Sequence, residues 1–480
     1  MEIRETYSYD DILLVPGYAD FLPTDANIKT RLVGSIMLNV PIISAAMDTV
    51  TEESLAIALA LQGGAGEIHR NLSPIDQAHQ VGNVKRYLNW VIDNPVTVGP
   101  NMTIADVLEI NRQCGFSGLP VVDDSKKLVG IITSRDLRFC EDNRLAVKDL
   151  MTENVISVEG SPSIEEARKV FNQYKIEKLP VVNDKGLLIG LITVKDMEKH
   201  DAFPNAAVDA KGRLICGAAV SPNDWRVRLP LLIENGVDFI GLDTAHGDSK
   251  NVIEAVTAIK KEYSIPVIGG NVATAEATKR LIDAGADAVK VGVGPGSICT
   301  TRIIGGIGMP QFSAVLECAN EADKHNIPII ADGGIKFSGD IVKAIGAGAS
   351  SVMIGNLFAG LKEAPGKEII YEGRMFKSYR GMGSIGAIKE GSGDRYQMKG
   401  VDAPVPEGIE GQVPYKGEMK DFLIQLTTGL QKGMGYCGCK TIDELRKYKK
   451  FVKITGAGLN ESHAHDIYIT QEAPNYSRKG

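Results

Sequence analysis

Of the seven cysteines, at 114, 140, 216, 299, 318, 437 and 439, one lies where a thiol could react. The run Gly292-Val293-Gly294-Pro295-Gly296-Ser297-Ile298-Cys299-Thr300-Thr301 surrounds Cys299 with hydroxyls and with glycines that expose amides and carbonyls. A cysteine near amide donors can act as a nucleophile, although a lone loop cysteine is more often an inert thiol. A second candidate is Asp332-Gly333-Gly334-Ile335 taken with Gly355-Asn356, whose amides suit an anion. A third is a polar stretch at about 380–416, rich in Gly, Pro and charge, which reads as a lid. It carries Asp394-Arg395-Tyr396 and Glu407, and it follows Tyr379-Arg380-Gly381-Met382-Gly383-Ser384. Arg395 read alone is a solvated loop charge. His463-Ala464-His465 and Cys437-Gly438-Cys439 lack a third ligand, so they are weak metal signals, and the cysteines read as a structural thiol pair.

These residues need elements to position them. Short apolar runs recur at 41–47, 66–70, 214–220, 239–245, 266–272, 288–294, 328–334 and 351–355, each followed by a helical pattern. Continuous apolar runs suit strands buried on both faces of a parallel sheet, and eight such units predict a (β/α)8 TIM barrel. In a barrel the functional groups sit at the C-terminal strand ends, and the glycine-rich ends of strands seven and eight are the usual phosphate site. The cysteine loop follows strand six. The chain has 480 residues and a formal net charge of −7, which argues against nucleic acid or an anionic membrane as partner. Few, scattered, odd-numbered cysteines fit a reducing compartment. The charged N-terminus and the lack of any span of membrane length predict a soluble, cytoplasmic protein.

Between about 91 and 204 the rhythm changes to a tandem repeat with an offset of 60. Leu119-Pro120-Val121-Val122 recurs as Leu179-Pro180-Val181-Val182, and Thr133-Ser134-Arg135-Asp136 as Thr193-Val194-Lys195-Asp196. The pair resembles tandem CBS motifs (a Bateman domain), which commonly bind adenine nucleotides. That resemblance places Asp136 and Asp196 at a ribose and Thr133 and Thr193 near phosphate. The alternative is that the pair only spaces or assembles subunits. The insertion divides the barrel domain into 1–90 and 205–480, with 91–204 as the CBS domain.

GVGPGSICTTR, the opening SYDDILLVPG, ISAAMDTVTE, LDTAHG, GGNVAT, IADGGI, YRGMGS and GAGLNESHAHD occur in the order found in the bacterial IMP dehydrogenase family, which the chain resembles almost throughout. The resemblance implies NAD-dependent oxidation of IMP to XMP in guanine nucleotide biosynthesis. Cys299 attacks C2 of the base, hydride passes to NAD, and the thioimidate is hydrolysed. Arg395 and Tyr396 on the flap serve that hydrolysis, with Thr301 and Glu407 as a supporting proton route. Ser297, Gly333, Gly334, Gly355 and Asn356 hold phosphate, and Asp332 holds the ribose. Tyr379, Gly381 and Gly383 make further substrate contacts, Met382 and Glu407 lie beside the base, and Ser44 and Met47 line the pocket. Asp243, Asn271, Gly292 and Gly294 fall on the cofactor side. A potassium ion is implied at the carbonyls of Gly294, Gly296 and Cys299, completed by Glu461, Ser462 and His463 of a neighbouring subunit. The implied assembly is a homotetramer, with an octamer as the larger form and an adenine or guanine nucleotide at the CBS pair.

Three positions and one stretch depart from the family pattern. Asn356 replaces a serine, Gln412 an arginine, and Glu67 an apolar residue. The stretch from Pro310 to Ala319 is similar to GMP reductase, the NADPH-dependent deaminating relative, in which a Glu at the place of Glu317 pairs with the Thr after the nucleophile. Reductase is therefore the alternative activity, and a non-catalytic nucleotide-sensing CBS protein is the third reading. The retained Arg395, Tyr396 and Glu407 favour the dehydrogenase, because hydrolysis needs them and reduction does not.

Overall fold

The structure is a computed structural model and describes residues 3–93, 95–114, 118–160, 162–394 and 405–476. Eight parallel strands close a barrel: β1 (Ile42–Ser44), β2 (Ala65–Ile68), β3 (Cys216–Val220), β4 (Phe239–Leu242), β5 (Val267–Val272), β6 (Ala288–Val291), β7 (Ile329–Asp332) and β8 (Ser351–Ile354). Pairing of Val352 with Ile42 joins β8 to β1 and completes the ring. The expected barrel is what the chain forms, but every strand is shorter than its apolar run. In the run 239–245 the strand stops at Leu242, because Asp243 and Thr244 turn out into the loop that carries the chemistry.

The barrel floor is packed. Ile43, Phe239, Ile268, Ile330 and Met353 form one buried cluster with Leu32, Val33 and Leu38 from the hairpin Thr30–Val33 and Ile36–Leu38. Burying each such side chain contributes roughly 1.5–3 kcal/mol, so the floor is a rigid base for the loops above it. Gly217 makes room for one of them, since a Cβ there would lie 2.1 Å from the Phe239 ring. Glu67 is fully buried on β2, and its carboxylate lies where a side chain on Gly241 would otherwise project. Outside, the helices turn their apolar stripes inward. Ala275–Asp283 buries Ala277, Thr278 and Leu281, and it is capped by Thr274, whose hydroxyl accepts from the Ala277 amide.

The chain divides into two compact units, one of Met1–Tyr87, Asn205–Ala210 and Leu214–Gly480, the other of Leu88–Pro204 and Lys211–Arg213. These bounds differ by a few residues from the 90/91 break read in the sequence. Trp90 accounts for the difference: it packs with Ala167, Phe171 and Leu179 of the inserted unit, and its indole lies against Gly212. Within that unit the two repeats build matching halves. Helix Ile104–Cys114 goes with strands Leu119–Val122 and Leu128–Ile132, and helix Ile164–Tyr174 with Lys178–Val182 and Leu188–Thr193. Each half has its own apolar cluster.

A three-stranded antiparallel sheet, Glu368–Tyr371, Arg374–Arg380 and Glu410–Pro414, carries the base of the long polar stretch. Gln412 lies on its exposed edge strand opposite Ser378. Among the described residues, no helix is long and apolar enough to cross a membrane.

Candidate active site

Two adjoining clefts, of about 840 and 970 Å³, open at the C-terminal ends of the barrel strands. The first is lined by Cys299, Thr301 and Glu407, with Asp243 and Asn271 on one wall and Gly381–Gly383 on another. The second is lined by Ser297, Gly333, Gly334, Gly355 and Asn356. Asp332, Met47 and Tyr379 border both. Residues spread over more than 350 positions of sequence thus converge on one mouth.

The cysteine loop leaves β6 at Gly292, where a side chain is excluded: a Cβ would lie 2.1 Å from the Asp332 carbonyl oxygen. Its tip is a tight turn, the Cys299 amide donating to the Gly296 carbonyl at 3.1 Å. The tip is then stitched to the far end of the polar stretch. Thr300 N–H donates to Glu407 O at 2.9 Å, Ile409 N–H to Ile298 O at 3.1 Å, and Glu407 N–H to Gly383 O at 3.1 Å. The segment 407–409 therefore runs as a rung between the nucleophile loop and residues 381–383.

That ladder presents a hydrogen-bonded chain of side chains. The Cys299 thiol donates to Thr301 Oγ1 at 3.2 Å, and Thr301 donates to Glu407 Oε2 at 2.7 Å. A proton released by sulfur has a continuous path to a carboxylate. Glu317 takes no part in it. It sits on helix Gln311–Ala322, accepts from Arg4 at 3.0 Å and from the Ala275 amide at 3.4 Å, and leaves Thr301 to Glu407. The pairing on which the reductase alternative rested is absent among the described residues.

On the opposite wall, Asn271 Nδ2 donates to Gly292 O at 3.0 Å and to Asp332 Oδ2 at 2.7 Å, which fixes that carboxylate at the rim. The Asn271 Oδ1 is buried with no partner among the described residues, so an acceptor is left for a ligand. Asp243 is held by Arg70 at 3.1 Å. Burial pushes the Tyr379 hydroxyl up to about 12, against the opposing hydrogen bond with Ser297, so it remains a neutral donor beside the glycine loops. Burial lowers the Arg302 pKa, while Cys299 acts to raise it. Arg302 donates to the carbonyls of Val293 and Met309, holding the base of the cysteine loop.

Several expected residues lie elsewhere. Ser44 is fully buried and its hydroxyl accepts from Thr51, so Ala45 and Met47 form the wall in front of it. Glu461 and Ser462 end helix Gly456–Ser462, and His463 packs on Phe337 and bonds Tyr476, away from the cleft of their own chain. Arg395 and Tyr396 lie outside the described residues. In the inserted unit, Asp136 accepts from the Thr133 amide and hydroxyl, both at 2.7 Å, and Asp196 accepts from the Thr193 hydroxyl at 2.6 Å, so all four serve as helix caps. Cys437 and Cys439 are buried thiols, and burial pushes Cys437 up to about 11. Among the described residues no three His, Cys, Asp or Glu side chains form a metal cluster.

The sequence reading missed two groups. Arg380 donates to Asp48 at 2.7 Å, and Asp48 also accepts from Asn71 at 2.9 Å, which anchors 381–383 to the loop after β1. Gln311 bridges the ends of β6 and β7. Opposite charges more than 300 positions apart give no local signal, although Asp48 and Arg380 both fall inside quoted motifs.

A family model for the IMP dehydrogenase / GMP reductase domain matches residues 6–465. An inosine-5'-monophosphate dehydrogenase from Halalkalibacterium halodurans is 55% identical over 477 residues, covering 99% of this chain and 98% of the relative. One from Aquifex aeolicus is 54% identical over 481 residues, with the same coverage. Among solved structures, a GMP reductase from Trypanosoma brucei in complex with guanosine 5'-monophosphate matches with a TM-score of 0.86 and 40% identity, covering 97% of this chain and 99% of that one.

Proposed function

Since the chain belongs to the IMP dehydrogenase / GMP reductase family, we infer that it oxidises IMP to XMP, the NAD-dependent step toward guanine nucleotides. The observation that carries this reading is the chain from Cys299 through Thr301 to Glu407 at the barrel mouth. Cys299 Sγ adds to C2 of the hypoxanthine, and its proton moves through Thr301 to Glu407. Bound NAD supplies the acceptor for the C2 hydride. The resulting thioimidate joins C2 to Cys299, and water attacks C2 to release XMP and restore the thiol. Arg395 and Tyr396 activate that water, relieved by the Thr301–Glu407 route.

The glycine loops at 333–334 and 355–356, with Ser297 and Tyr379, receive the phosphate, and Asp332 receives the ribose. Asn356 can donate from its amide where a serine would use a hydroxyl. Met382 lies beside the base. The cofactor side is Asp243, Asn271, Gly292 and Gly294, and the residues fit it: the Asp243 carboxylate lines the same cleft as the Asn271 oxygen, which has no partner among the described residues and can accept from an amide. A monovalent cation fits the carbonyls of Gly294, Gly296 and Cys299, which are hard neutral donors on one turn. Glu461, Ser462 and His463 would complete it from a neighbouring subunit of a homotetramer, a reading supported by their position outside the cleft of their own chain. The CBS pair takes an adenine or guanine nucleotide, and the protein works in the cytoplasm.

Nicotinamide absorbance tests the activity. With potassium present, IMP and NAD should yield NADH and XMP. Oxidation of NADPH by GMP with release of ammonia would instead make this a reductase, and silence in both assays would leave only nucleotide sensing.

A further inference from the structure

The last paired residues of β6 and β7 are Val291 and Ala331; beyond them the cysteine loop departs. The split is spanned by two side chains, Gln311 and Asn271. Gln311, the first residue after the loop returns, is 3% exposed. Its Nε2 donates to Val291 O at 2.8 Å and to Asp332 O at 3.0 Å. Two facing carbonyls fix the amide orientation, because the reverse would set oxygen against oxygen. The remaining Oε1 is buried with no partner among the described residues. Gly292 lies in the same junction, with its Cβ position 2.1 Å from Asp332 O and 3.2 Å from Gln311 Nε2. Asn271 holds the other side, binding Gly292 O and the Asp332 carboxylate.

We propose that Gln311 is a positioning residue that locks the root of the nucleophile loop to Asp332, so that one carboxamide sets both thiol presentation and the hold on the nucleotide ribose. The proposal rests on the roles given above to Cys299 and Asp332. The Val291 carbonyl is a buried acceptor and the Asp332 carbonyl a part-buried one, and without a donor between them they repel each other and the strands part at the junction. Asp332 then moves with its carbonyl, and Gly292 moves with Val291. Gln311 touches neither reacting atom, so its effect passes entirely through these two neighbours.

Gln311→Met tests this, since it keeps the volume and removes the donor, with Gln311→Glu as a second near-isostere in case the first does not fold. Three quantities are compared with the wild-type enzyme: calorimetric affinity for IMP, the rate of the first-turnover NADH burst, and the melting temperature. IMP affinity and burst rate should each fall roughly 10- to 100-fold at a temperature where the variant is fully folded, as displacement of about 1 Å commonly produces. A variant that melts lower but binds IMP and bursts like the wild type would overturn the proposal and leave Gln311 a structural filler. A wild-type enzyme that binds IMP but forms no covalent Cys299 adduct with it when NAD is present would refute the covalent mechanism, while IMP affinity in the variant would still decide the hold on Asp332.

Discussion

Thr301→Val removes one oxygen and nearly nothing else. The methyl occupies the space of the hydroxyl, so the half-buried side chain keeps its packing while the Cys299–Thr301–Glu407 chain is cut at its middle link. Two bonds are lost. The 2.7 Å bond to Glu407 is to a carboxylate, a class worth about 1.5–3 kcal/mol. The thiol contact at 3.2 Å is weaker. At about 1.4 kcal/mol per tenfold, kcat should fall roughly 10- to 100-fold, with IMP affinity little changed. Glu407→Gln keeps an acceptor for Thr301 but removes the proton sink, and should lose a similar factor. The decisive assay is the double variant measured by stopped flow. Groups in one relay are not additive, so Thr301→Val with Glu407→Gln should lose little more than either change alone. Multiplying losses, or a kcat within about threefold of wild type for Thr301→Val, would refute the relay.

Other consequences are checked separately. Cys299→Ala should abolish turnover while leaving IMP binding measurable by calorimetry. Arg395→Ala should preserve the first NADH burst but slow hydrolysis, so that covalent enzyme–nucleotide accumulates and is seen by intact mass spectrometry. Asp48→Asn strips Arg380 of its main partner; with Glu390 still in contact the destabilisation should be near 3 kcal/mol, the lower end for breaking a partly buried pair, seen in denaturant melts. Burial lowers Lys416 to about 8, so between that pH and its ordinary value the unfolded chain holds the extra proton and stability rises with pH. Lys416→Met should therefore melt higher than the wild type at pH 7, and the gap should close only as pH rises past 10.5.

The legible part of the fold was whatever the chain writes locally. Eight apolar runs gave eight strands, since a strand covered on both faces needs apolar residues at consecutive positions. The 60-residue offset gave the paired halves of the insertion because each half folds around its own cluster. The glycines flanking Cys299 marked its loop. What stayed hidden depends on pairing across distance. Nothing local in Thr301 says that its partner is Glu407, 106 positions later, and only the family resemblance joined them. Glu317 was misleading for the converse reason: its neighbourhood in sequence is reductase-like, but the helix turns it to Arg4. Ser44 sat inside a motif, yet the two-residue period of a strand turned it away from the barrel interior, to Thr51. Gln311 gave no signal, because a buried glutamine bridging two carbonyls looks like any glutamine at the start of a helix.

The rung formed by Glu407–Ile409 fixes the acid by main-chain register to Ile298 and Thr300, and not by the content of the stretch before it. A change of length after Tyr396 and before 405 therefore need not move Glu407 relative to the thiol. That part of the sequence is a cassette that selection can lengthen, shorten or recode, while the acid and the nucleophile are inherited as one fixed unit.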